Sequence, residues 1–246
     1  MSGLYDQYQK GFHQEVYDEL LTMQERIYEP QIYEEALHIT KEIMRRVRDN
    51  IELLIPRLRD IGYHFGEGFS ESPEEEAYWE QAAPIYRAPT PETPEHVAKL
   101  EQLAGTLPLT LKCCYEVVGS VNFVGTFPIS ENQKDRIAYG SDLDPLFIYS
   151  VEMVLTMGEG YWHDVNKVSI APDRYFKFGY GGGGPYAVQT PCRTFDASLK
   201  GYEDLEITFV NYLRQCFRWG GFPGLASDNR LSQGELALLT KDLLLF

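Results

Sequence analysis

The sequence predicts helices and short strands mixed along one chain of 246 residues, with a helical region ahead of the mixed part. Three stretches carry that prediction. Met44, Val47, Ile51, Leu54, Leu58 and Ile61 alternate steps of three and four, the spacing of a single helical face. Residues 107–125, LPLTLKCCYEVVGSVNFVG, change from helical spacing to a period of two at Gly119. Residues 175–180 and 186–189 flank the glycine run 181–184 as the two strands of a hairpin would.

In chain order, Tyr5, Tyr8, Phe12, Val16, Leu20 and Met23 predict helix over residues 1 to about 29. Glu29-Pro30 closes it, because the residue before a proline avoids the helical region. Residues 34–61 form the clearest helix. Pro56 removes one of its main-chain hydrogen bonds and predicts a kink, and Gly62 stops it. Residues 1–66 are thus a helical N-terminal region. Residues 67–94 read as an acidic, proline-rich linker, in which Glu71, Glu74, Glu75, Glu76 and Glu80 precede Pro84, Pro89, Pro91 and Pro94. Tyr78, Trp79 and Tyr86 would hold it against a surface. Residues 95–246 form a second unit.

That unit opens with a short helix over 96–103, starting near Thr93 or Pro94. Pro108 suits the first turn of a helix that buries Leu111, Cys114, Tyr115 and Val118. Gly119 then turns the chain into a strand that Gly125 ends. A loop over 126–145, a strand over 146–149, a helical turn over 151–157 and a strand over 167–171 follow. Phe209, Val210, Leu213, Cys216 and Phe217 mark an amphipathic helix closed by Gly220-Gly221. The tail, SQGELALLTKDLLLF, adds a last helix whose apolar residues need a surface to cover them.

Composition bounds the function classes. The chain is 43% hydrophobic and 13% aromatic, enough for a sizeable core. Its net charge is −15, with a pI near 4.7. Such a surface disfavours a nucleic acid or an anionic membrane as partner and suits a basic protein. No apolar run reaches the roughly 18 residues of a membrane span, and the amino terminus, MSGLYDQYQKGFHQE, lacks the apolar stretch of a signal peptide. A cytoplasmic location is expected. Four cysteines without metal-ligand spacing read as free thiols in a reducing compartment. Lys41, Arg45, Arg46, Arg48, Arg57 and Arg59 make one local basic face. It either pairs internally with Glu42, Asp49, Glu52 and the acidic linker or docks a partner.

Motifs for chemistry are absent. The glycine run lacks the Lys and Ser or Thr of a phosphate loop and leads into a strand. Asp135, Asp142 and Asp144 lack the spacing of a calcium loop. His163-Asp164 beside Trp162 is the best acid–base pair, and with Asp173 it defines an enzyme alternative, but no nucleophile motif accompanies it. His13, His38, His64 and His96 are scattered. No catalytic, cofactor-binding or metal-binding residue is assigned, and no cofactor is expected.

Leu107-Pro108 before a helix, Gly119 at its end, Asp144-Pro145-Leu146 opening a strand, the glycine-rich 180–186 segment and the 209–213 helix together resemble the SUKH superfamily (the Smi/Knr type), over about residues 95–225. The stretch MRRVRDNIELLIPRLRDIGYHF ahead of such a domain resembles a group of bacterial proteins. The resemblance implies an α+β fold: a mixed, mainly antiparallel sheet with helices packed on one side, here preceded by the N-terminal helical region. It implies binding rather than catalysis, since members are commonly immunity proteins that neutralise toxins or regulatory adaptors. With the acidic charge, the expectation is a non-enzymatic protein-binding module, an immunity-type inhibitor of a basic toxin domain. The alternative is a structural or adaptor protein that oligomerises through its N-terminal helices; the sequence leaves the oligomeric state open. Candidate contact residues, chosen as polar and aromatic groups on predicted loops, are Tyr139, Asp142, Trp162, Asp173, Tyr180 and Tyr186.

Overall fold

The computed structural model describes residues 3–66, 84–127, 143–158, 166–177, 184–201 and 207–246. Helix α1 (Leu4–Gln9) and helix α2 (His13–Thr22) replace the single helix expected over 1–29. Gly11, at φ +97°, breaks them apart, and a 3-10 turn (Gln24–Tyr28) follows. Glu29 is extended, as a residue before proline should be, and Pro30 opens α3 (Pro30–Asp60) in the first turn, where a missing N–H costs nothing. Helix α3 runs on through Pro56, which lies on its exposed face. Gly62, at φ +82°, ends it, and the Tyr63 N–H reaches back to the Leu58 carbonyl at 2.9 Å.

The apolar seam of α3 is the centre of the core. Ile43, Met44, Val47, Ile51, Leu54 and Leu58 are fully buried. Each such side chain stabilises the fold by roughly 1.5–3 kcal/mol. The cover comes from the chain itself: α1, the 3-10 turn and two later helices, Leu109–Cys113 and Gln233–Thr240, pack on α3.

After α3 come β1 (His64–Phe65), β2 (Tyr86–Arg87) and α4 (Thr93–Ala104), whose start agrees with Thr93-Pro94. Then α5 (Leu109–Cys113) continues as a π-helical turn (Cys114–Val118). Gly119, at φ +86°, turns the chain into β3 (Ser120–Asn122), as expected. A Cβ at Gly119 would collide with the Arg87 carbonyl oxygen, because β2 lies directly against it. Gly119→Ala should therefore destabilise the protein by ~3 kcal/mol in chemical denaturation, combining backbone strain with that collision. Equal stability of the variant would show that β2 does not depend on this close approach. The predicted strand over 121–124 divides after Asn122, and β4 (Gly125–Thr126) pairs with β1 instead.

The remaining elements are β5 (Phe147–Ile148), α6 (Val151–Gly158), β6 (Lys167–Ala171), α7 (Arg174–Lys177), β7 (Tyr186–Gln189), β8 (Leu199–Lys200), α8 (Phe209–Arg218) and α9 (Gln233–Thr240). The protein is α+β, and its described strands lie in three small antiparallel sheets: β1-β4, β2-β3-β5 and β6-β7-β8. The expected hairpin is corrected. Residues 174–177 are helical, and 186–189 pair with β6. The reason is visible in burial. A strand would place Tyr175 and Lys177 on one face, whereas the helical turn exposes Tyr175 and buries Lys177.

Two polar knots tie these elements together. Asp196 is fully enclosed and accepts four hydrogen bonds. They come from the Tyr17 hydroxyl of α2 (2.8 Å), the Thr110 hydroxyl of α5 (2.7 Å), the Ala197 N–H (2.9 Å) and the Val210 N–H in the first turn of α8 (3.0 Å). Burial pushes its carboxyl up despite those donors. The second knot is a buried ion pair, Lys177 Nζ to Asp144 Oδ1 at 2.5 Å, with Asp144 held at φ +54°. No helix among the described residues is long and apolar enough to cross a membrane.

Candidate functional site

The residues chosen from sequence divide sharply. Tyr139, Asp142, Trp162 and Tyr180 lie outside the described residues, as do His163 and Asp164. Asp173 and Tyr186 are described, and both are buried. They converge on the buried lysine: the Tyr186 ring lies 5.0 Å from Lys177 Nζ, and the Asp173 carbonyl accepts the Lys177 N–H at 3.0 Å. Tyr186 stands on β7, between two paired strands, rather than on a loop.

Much of the basic face of α3 pairs within the chain, while Lys41, Arg45 and Arg59 stay exposed. Arg45 bonds Glu42 and Asp49, Arg46 bonds Glu42, and Arg48 meets Asp49 and Glu52. The remaining contacts grip the end of α9 and the tail that follows it. Arg57 donates to the carbonyls of Leu239 and Lys241, and Arg46 to that of Leu245. Asn50, fully buried, donates to the Leu244 carbonyl at 3.0 Å and accepts the Leu244 N–H at 2.7 Å. Arg214 of α8 donates to the Phe246 carbonyl at 2.6 Å. The tail is held mainly by its main chain, with Phe246 packed edge-on against Phe217.

This arrangement opens a groove of about 470 Å³ between the start of α2, the outer side of α8 and the tail. Leu245 stands in its lining at 77% exposure, and Phe12, between the lining residues Gly11 and His13, is itself 50% exposed. Arg214 links the tail to α2. It donates to Gln14 Oε1 at 2.9 Å and lies over the Tyr17 ring at 4.4 Å. Burial, then the cationic Arg46 and Arg214, lower the His13 pKa. Its Nε2 sits 2.7 Å from Arg46 Nη1, so Nε2 accepts and Nδ1 carries the proton.

Next to the groove, α2 presents an acidic face. Val16, Tyr17 and Leu20 point into the core, which leaves Glu15, Asp18 and Glu19 exposed, with Glu25 one turn further. None of these four forms a salt bridge among the described residues. The groove thus carries exposed Leu245 and the cations Arg214 and Arg218 in its lining, with Glu15 beside them. Among the described residues no cluster of three His, Cys, Asp or Glu side chains could hold a metal ion. Burial pushes the Cys113 thiol up to about 12, and Cys114 and Cys216 higher still, so these thiols are inert packing.

The helical spacing of Phe12 placed it in a buried stripe, and so hid it as a surface residue. One signal did exist: the apolar tail after α9 needed a covering surface, and the groove is what its partial cover leaves open. No protein-family model, no curated protein and no solved structure matches the chain.

Proposed function

We propose that this protein is a non-enzymatic binding module that takes a basic protein partner across the terminal groove and the acidic face of α2. The observation that carries this reading is the presence, on and beside one groove, of exposed Phe12 and Leu245 with exposed Glu15, Asp18 and Glu19, which form no salt bridge among the described residues. The net charge of −15 acts in the same direction, because long-range attraction steers a basic partner toward an acidic surface. The SUKH-like pattern in residues 95–225 supports the immunity-type form of the reading, in which the partner is a basic toxin domain and binding neutralises it.

The test is one-to-one complex formation with the basic product of the adjacent gene, together with protection from that product on co-expression. Converting Glu15, Asp18 and Glu19 to lysine should slow association by about tenfold or more at low salt and flatten its salt dependence. Phe12→Ala should instead speed dissociation by about tenfold, as loss of an aromatic contact at an interface centre does. If the neighbour's product forms no complex and gains no antidote, the immunity reading fails. A complex indifferent to all four changes would move the interface off this face.

A further inference from the structure

One nitrogen of Arg46 serves α2 and the tail together. Its Nη1 carries two N–H groups, enough to donate to His13 Nε2 at 2.7 Å and to the Leu245 carbonyl at 2.8 Å. The guanidinium has little freedom to reposition. Its Nε is held by Glu42 Oε1 at 2.7 Å, its carbon lies 5.1 Å from the Tyr8 ring centre, and the side chain is 15% exposed. The His13 ring packs on the same tyrosine, with ring centres 4.6 Å apart. Arg46 can hold ring and tail at once only while Nε2 offers a lone pair.

His13 opens α2 half-buried in the groove lining, where a proton can reach it. The charged groups around it are Arg46 and Glu42 of α3, Arg214 of α8 and Glu15 of its own helix. Helix α1 offers the Tyr8 ring, and the tail residues in the lining, Leu243 to Phe246, have apolar side chains. Glu42 is already shared between Arg45 and Arg46. Burial and the two arginines outweigh the two carboxylates, so the pKa lies below the ordinary 6.5. A proton on Nε2 sets an N–H against an N–H and a positive charge against a positive charge, at hydrogen-bond distance.

We propose that His13 is a pH-dependent latch for Leu245: a proton on Nε2 drives Arg46 from the ring and off the Leu245 carbonyl. Asn50 still holds Leu244 and Arg214 still holds Phe246, so the loosening is confined to Leu245, the most exposed apolar side chain of the groove lining. The unfolded chain takes this proton first. The contribution of neutral His13 to stability is therefore complete above about pH 6.5 and is lost as pH falls through the lower pKa of the folded state. Weaker partner binding in acid would follow, and that consequence rests on the binding role proposed above, whereas the latch does not.

The experiment is a titration of the full chain from about pH 8 to about pH 5. NMR follows the His13 ring nitrogens and the heteronuclear NOE of the tail amides. His13 should titrate below about 6.5, and the Leu245 NOE should fall with the same midpoint while that of Leu244 changes less. His13→Gln supplies an acceptor that does not titrate, so its Leu245 NOE should stay high throughout. Arg46→Gln serves if that variant fails to fold: it should raise the His13 midpoint and uncouple the Leu245 NOE from it. A Leu245 NOE that stays level while wild-type His13 titrates overturns the proposal, since the ring has then swung aside without loosening the tail. So does a fall that persists in His13→Gln, or a His13 midpoint at or above about 6.5. None of these readings needs a partner, so a failed complex and a failed latch are told apart.

Discussion

Asp196→Ala is expected to lower the unfolding free energy by about 3 kcal/mol or more, read from urea denaturation. The change removes the acceptor of four donors; the Tyr17 hydroxyl keeps Thr208 Oγ1 at 2.6 Å, and each of the other buried donors left orphaned costs about 1–3 kcal/mol before any water enters. Removal of a carboxylate whose burial is itself unfavourable offsets part of that loss. Asp196→Asn separates the two effects. Oδ1 receives the Ala197 N–H and Oδ2 the Val210 N–H, so an amide NH₂ in either orientation opposes one main-chain donor. The asparagine variant should therefore fall between wild type and alanine, at a cost of about 1–3 kcal/mol. Full stability in both variants would mean that Tyr17, Thr110 and the start of α8 do not rely on this carboxylate.

The second large effect is at the buried ion pair. Lys177→Met is expected to cost about 3–5 kcal/mol, because it leaves Asp144 buried without its cation. The double change Lys177→Met with Asp144→Asn should recover much of the loss. Asparagine keeps the positive φ that Asp144 adopts and carries no charge. A double variant no more stable than the single one would show that the lysine acts through packing against Tyr186 rather than through charge. Two residues chosen from sequence as surface contacts, Asp173 and Tyr186, belong to the setting of this pair.

Local signals in the sequence located most helices. The α3 seam, the Thr93-Pro94 start, the Gly119 turn and the Gly220-Gly221 stop all rest on interactions within a few residues. The last helix has such a signal too: Ser232 and Glu235 form a reciprocal cap. Residues 174–177 failed because an alternating pattern fits a strand locally, and only the distant Asp144 makes it favourable to bury Lys177. The groove was legible in part, as an apolar tail in need of cover. The His96–Glu152 contact was not legible, since its two residues stand 56 positions apart.

The sequence by itself determined most of the helical segments, the glycine turn at Gly119 and the net negative charge, since propensity, backbone sterics and charge are properties of the residues alone. Only the tertiary structure decided what each face meets. It turned a basic stripe on α3 into a clamp for the tail, placed Phe12 in solvent and enclosed Tyr186 and Asp173. Those outcomes depend on contacts between residues far apart in the chain, which no local spacing encodes.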